Sequence, residues 1–246
     1  MVNASQAPPP ERVAILRWAA RMGAVTAEAL ADRQATSVAS ARARLLAAER
    51  ARLLSRSRPL AGRPALYTVT PAGMRACGLR GLDPCRVSAS NALHSIVCAE
   101  VAAALERCYP DHRVLGEREL RRDERECGVP LASACLGSAP DGGPLLHRPD
   151  LVLWPSGSDQ GLPVAVEVEL TIKAPRRLAH ICQAWARCRG VAGVLYLAAP
   201  EVEHPLERAV ATAQAHERIA VVPLGALPRP AQAAGAAAER TVPSET

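Results

Sequence analysis

The chain has 246 residues, 49% of them hydrophobic, which is enough to bury one or two domain cores of ordinary size. No stretch reaches the ~18 consecutive apolar residues of a spanning helix. Residues 1–10 are polar and Pro-rich without the apolar centre of a signal peptide, so a cytoplasmic protein without a membrane partner is expected. The net charge of +6 is unevenly spread: residues 11–64 hold eleven Arg against four carboxylates, a net of +7, which leaves −1 for the remainder. A basic N-terminal quarter points to a polyanionic partner there.

The eight cysteines (Cys77, Cys85, Cys98, Cys108, Cys127, Cys135, Cys182 and Cys188) include no pair with zinc-knuckle or redox spacing, and they read as plain thiols. In chain order, Glu11 to Met22 is a helix closed by Gly23, and Thr26 caps a short second helix running to Asp32. Thr36 to about Leu54 is Ala/Arg/Leu-rich and helix-forming. Residues 52–57 and 64–70 read as strands flanking a turn from Arg58 to Arg63. Three helices followed by a basic hairpin is the layout of a winged helix-turn-helix, in which a recognition helix enters the major groove and a wing arginine tracks phosphate. The candidate DNA contacts are Thr36, Ser37, Ser40, Arg42 and Arg44 on the third helix, with Arg56, Arg58 and Arg63 on the hairpin. Their polar ends suit bases and phosphates equally.

Residues 78–90 are Gly/Pro-punctuated and aperiodic, as in a linker. Asn91 to Cys108 is a helix whose apolar arc contains Leu93, Ile96, Val97, Val101, Ala104 and Leu105, with His94 and Glu100 inside the arc. A strand from Arg113 to Leu120 follows. Arg121 to Leu146 lacks any sustained period and reads as an insertion or mobile loop. Asp150 opens a β-rich run ending near Trp154. That run pairs as a hairpin with Val164 to Lys173, where apolar residues alternate with Glu167, Glu169, Thr171 and Lys173. A helix from Pro175 to Cys188, a buried strand from Val191 to Ala198, a helix from Pro205 to Ala215 and a strand from Arg218 to Pro223 complete the pattern. Residues 1–10 and 228–246 have the composition of disordered termini.

The order helix, three strands, helix, strand, with Pro149-Asp150 on one strand and Glu167-Val168-Glu169 on the next, resembles the PD-(D/E)xK nuclease-like fold. Adding Tyr67 and Thr70-Pro71-Ala72-Gly73, His94, Gly116 to Leu120 and Arg148, the chain from about 11 to 224 resembles the replication-relaxation family of plasmid and mobile-element proteins. The resemblance implies an α+β protein. A winged helix at 11–77 and a linker at 78–90 would precede a restriction-endonuclease-like αβββαβ domain at 91–226. It implies double-stranded DNA as partner and Mg²⁺ or Mn²⁺ as cofactor, with Asp150, Glu167 and Glu117 as metal ligands and Glu169 where the family has lysine. Lys173 is the only lysine of the chain, but in an extended strand its Cα would lie ~13 Å beyond that of Glu169. It could approach only if the chain bends. Arg176, His180 and Gln183 on the next helix are alternative partners, and His94 and Glu100 are accessory candidates. Two functions stay open: a metal-dependent endodeoxyribonuclease, and a DNA-binding regulator whose C-terminal domain dimerises or binds a ligand.

Overall fold

The computed structural model describes residues 8–79, 81–83, 85–140, 142–156 and 161–227; the termini expected to be disordered lie largely outside these. The first helix, α1 (Pro10–Met22), starts inside the segment expected to lack structure, because Pro10 brings a helical φ and an N–H the first turn does not need. It is followed by β1 (Ala24–Val25) and α2 (Ala27–Arg33), whose cap Thr26 accepts the Ala29 N–H at 3.0 Å. The third helix, α3 (Val38–Arg50), is shorter than the sequence pattern implied. Ser37 caps it by accepting the Ser40 N–H at 3.1 Å, so Thr36 stays outside. β2 (Leu54–Ser57) and β3 (Leu66–Val69) form an antiparallel hairpin, and β1 adds a third strand against β3. Beyond β3, Thr70 caps the short helix α4 (Pro71–Ala76). Gly73 is required there, because a Cβ would collide with the Leu53 carbonyl oxygen.

Helix α5 (Ala89–Cys108) is shared by both halves of the chain. Ala99 and Ala103 pack into the core of the N-terminal helices, while Val101, Ala102 and Leu105 pack against the large sheet. Small side chains on one face allow that close approach, and Arg33–Glu106 and Arg107–Asp32 ion pairs flank it. The large sheet is built from β4 (His112–Gly116), β7 (Leu151–Pro155), β8 (Val164–Glu169), β9 (Gly193–Ala198) and β10 (Ile219–Pro223), in the order β10-β9-β8-β7-β4. β7 runs antiparallel to β4 and β8, whereas β9 runs parallel to β8 and β10. Helices α7 (Pro175–Arg187) and α8 (Pro200–Thr212) cover the face opposite α5. The described part of the chain is thus a mixed α/β protein, α+β overall.

Four expectations are corrected. In place of the expected strand end to Leu120 and irregular stretch to Leu146, the chain forms helix α6 (Glu117–Cys127) and the hairpin β5 (Ala134–Ser138) with β6 (Pro144–His147). The period was hidden because α6 buries Glu119 and Glu124 beside Leu120. Glu119 is held by Arg21 at 3.3 Å and by Arg113, while Glu124 accepts from Arg148 at 2.9 Å and from Ser133 at 2.5 Å. On α5, Leu93 and Glu100 are exposed rather than inward, as the helix turns its Ala92/Ala99/Ala103 face to the neighbouring core. β8 stops at Glu169, and both of its faces are buried because helices cover the sheet on both sides. Finally, α8 begins at Pro200, which occupies the first turn, and carries Pro205 within it.

Candidate functional site

At the C-terminal edge of the parallel strands, Asp150 stands one residue before β7. The register Leu151↔Val166 places it across from Glu167. Strand ends of this kind are where open α/β sheets gather ligands, because side chains there are fixed by the sheet and uncovered by the next element. The Asp150 carboxylate accepts the Val168 N–H at 2.8 Å, and His94 Nε2 lies 3.2 Å from the same oxygen. Glu167 is almost completely enclosed, with 4% exposure. Its Oε1 accepts from His147 Nε2 at 2.7 Å and from the Trp185 indole N–H at 3.2 Å. Glu169, equally buried, is paired with Lys173.

These groups feel one another's charge. Burial raises the Glu167 pKa, with the Asp150 charge pushing the same way and His147 and Lys173 opposing. For His147, burial favours the neutral ring, but the hydrogen bond and charge of Glu167 outweigh it and hold the pKa above the ordinary range. The His94 pKa is raised chiefly by its hydrogen bond to Asp150, against burial.

Lys173 therefore reaches the acidic centre after all. The expected separation assumed a strand extending through residue 173, whereas the chain leaves extended geometry after Glu169 and folds the lysine back. Arg176, His180 and Gln183 are exposed, on the side of α7 opposite buried Leu178, Ile181, Cys182 and Trp185. Glu117 begins α6, where its N–H donates to the Asp150 carbonyl at 3.0 Å and its carboxylate pairs with Arg121. Glu100 instead lines a cavity of about 510 Å³ together with Glu28, Asp32 and Arg63. His147 and Trp185 were not singled out from the sequence. His147 belongs to a hairpin whose apolar alternation is weak, and Trp185 falls on the apolar face of α7 beside Leu178, Ile181 and Cys182, where nothing in the sequence marks it from other core residues.

The N-terminal candidates divide. Arg42, Arg56, Arg58 and Arg63 line one groove of about 510 Å³ between α2, α3 and the β2–β3 hairpin. Exposed Val38, Ala39 and Ala43 lie beside Arg42 on α3. Arg42 is 3.6 Å from Glu28, and Arg56 is 3.7 Å from Glu49, both in solvent-exposed pairs of little energetic weight. Arg44 turns elsewhere, to Glu11 at 2.9 Å and Gln34 at 2.8 Å. The Ser37 hydroxyl caps α3 by accepting the Ser40 backbone N–H. No helix among the described residues is long and apolar enough to cross a membrane. No family model, curated protein or solved structure matches the chain.

Proposed function

We propose that the chain is a DNA-binding protein of the replication-relaxation type. In this reading residues 11–77 act as a winged helix on duplex DNA, and residues 91–226 as a nuclease-like domain that takes Mg²⁺ or Mn²⁺ at Asp150 and Glu167. The observation that carries this is the register that sets Asp150, one residue before β7, across from Glu167 near the C-terminal end of β8. The donor set fits a hard cation, because two carboxylates fixed by a sheet offer oxygen ligands. Bound there, the ion would supply an acidified water and stabilise charge on a phosphate.

The chain's own residues have definable tasks in that reaction. Asp150 is oriented by the Val168 N–H, and Glu167 by Trp185 and His147. His147, with its raised pKa, can hold a proton at Nε2 beside Glu167 and release the carboxylate when that proton leaves. Lys173, paired with Glu169, supplies the cation that the family carries two residues after its acid. The groove of four arginines would hold the phosphate backbone.

A second reading is favoured by a specific observation: each of the three carboxylates already has an internal donor. A regulator that kept the fold and lost the chemistry would look the same. Incubating supercoiled plasmid with the protein and Mg²⁺ or Mn²⁺ separates the two. Nicking that disappears in Asp150→Asn and Glu167→Gln supports the nuclease. Nicking that persists in both removes these residues from the reaction. DNA binding with neither nicking nor metal uptake selects the regulator.

A further inference from the structure

The neighbourhood of Asp150 contains a second set of donors that the hard-cation reading does not use. His94 and Cys98 are one turn apart on α5, so both side chains emerge on the same face. Asp150 meets them from the start of β7, and one ligand atom from each of the three residues lies within 4.8 Å of the others. His94 Nε2 is 3.2 Å from Asp150 Oδ2 and 3.8 Å from Cys98 Sγ. Tetrahedral zinc, with Zn–N and Zn–O near 2.1 Å and Zn–S near 2.3 Å, separates its ligand atoms by about 3.4–3.6 Å. The two His94 spacings bracket that value, and Cys98 Sγ lies within 4.8 Å of the Asp150 ligand atom, so an ion could be taken up by side-chain rotation without moving α5 or β7.

We infer that His94, Cys98 and Asp150 form a site for a thiophilic divalent cation of the zinc class, with three protein ligands and an open fourth position. A thiolate and an imidazole select zinc over magnesium, which prefers oxygen alone. All three residues are partly exposed. The Val168 N–H at 2.8 Å from Asp150 Oδ2 is the kind of outer hydrogen bond that orients a ligating carboxylate. On uptake, the Cys98 S–H bond breaks in favour of a metal–sulfur bond and its proton passes to solvent. His94 gives up the Nε2 proton that faces Asp150 and the Val168 carbonyl, to solvent from the charged ring or by a tautomer shift to Nδ1 in the neutral ring, and the freed lone pair binds the metal. Because Asp150 belongs to both sets, the two cations exclude each other. That consequence alone rests on the proposed function.

Co²⁺ is the probe, since tetrahedral thiolate ligation gives strong visible bands and a near-ultraviolet sulfur-to-cobalt charge-transfer band. The full chain, reduced and freed of metal, carries Cys127→Ser and Cys135→Ser to remove its two exposed thiols. One equivalent of Co²⁺ should produce both features, and Zn²⁺ should bleach them. Cys98→Ser should abolish the charge-transfer band and weaken Zn²⁺ binding by more than about tenfold. His94→Asn should weaken binding similarly, and covers the case in which Cys98→Ser does not fold. Glu167→Gln should leave the cobalt spectrum intact even if it removes Mg²⁺ binding, so this site and the hard-cation centre can fail separately. Absence of the charge-transfer band in the parent protein, its survival in Cys98→Ser, or its loss in Glu167→Gln would overturn the assignment. In the first of these cases the three residues are only a hydrogen-bonded cluster.

Discussion

Glu167 offers the sharpest test, because its two roles make opposite demands. As a buried carboxylate it stabilises the fold only through the donors around it; as a metal ligand it must carry charge. Glu167→Ala removes the acceptor from His147 and from Trp185, whose indole is fully buried. Each donor left unpaired costs about 1–3 kcal/mol, and the lost methylene adds about 0.8 kcal/mol. A loss of about 3–7 kcal/mol is expected, a large part of the ~5–15 kcal/mol that holds a typical domain together. Glu167→Gln keeps an amide oxygen in the same place and no longer buries a charge, so its stability should stay within about 1 kcal/mol of the parent. Urea unfolding in the presence of chelator reads both values. Saturating Mn²⁺ then separates structure from ligation. At one hundred times its Kd, a ligand adds about 2.7 kcal/mol, or roughly 5–10 °C in Tm at this chain length. The parent should gain this and both variants should not. If Glu167→Gln is as unstable as Glu167→Ala, the carboxylate charge is structural. If Glu167→Gln gains the full Mn²⁺ shift, Glu167 is not a ligand.

Further outcomes follow from the same geometry. The folded-state pKa of His147 lies above its ordinary 6.5, so its contribution is fully present below that pH and is lost as pH rises through the folded value. In chelator, stability should therefore fall from pH 6 towards alkaline pH, and the fall should flatten in His147→Gln; an unchanged profile would refute the pairing. Glu124→Ala strips the acceptor from Arg148, Ser133 and the Leu131 N–H, and should cost about 3–5 kcal/mol in urea unfolding. A change under about 1 kcal/mol would mean that Glu124 does not hold the inserted hairpin in place. Replacing Arg42, Arg56, Arg58 and Arg63 together with Ala should lower the slope of log K against log salt for duplex DNA by up to about 3.6. Arg44→Ala should change it little, since Arg44 is engaged by Glu11 and Gln34. Equal effects from both would remove the groove from the interface.

Local chemistry was legible in the chain wherever a residue acts on its immediate neighbours. Thr26, Pro175 and Gly23 mark helix ends because their effects reach only a turn away. The strands from Leu151 and Val164 show in β-rich apolar runs, and their antiparallel pairing follows from a short connection. The acidic pattern at Asp150 and Glu167 was visible for the same reason. What the chain could not show is anything set by contacts between distant segments. Whether Glu167 and Glu169 face water or core depends on α7 and the β5–β6 hairpin closing over the sheet. Helix α6 escaped detection because its inward face is carboxylate, and a buried carboxylate is tolerable only when arginines from α1, β4 and the Arg148 segment arrive to meet it. Lys173 looked out of reach until the end of β8 released the chain to fold back. His94, Cys98 and Asp150 form a group only through the packing of α5 against β7 and β8. Hydrophobic periodicity reports which side of an element is buried, whereas the partners it is buried against are decided by the tertiary structure.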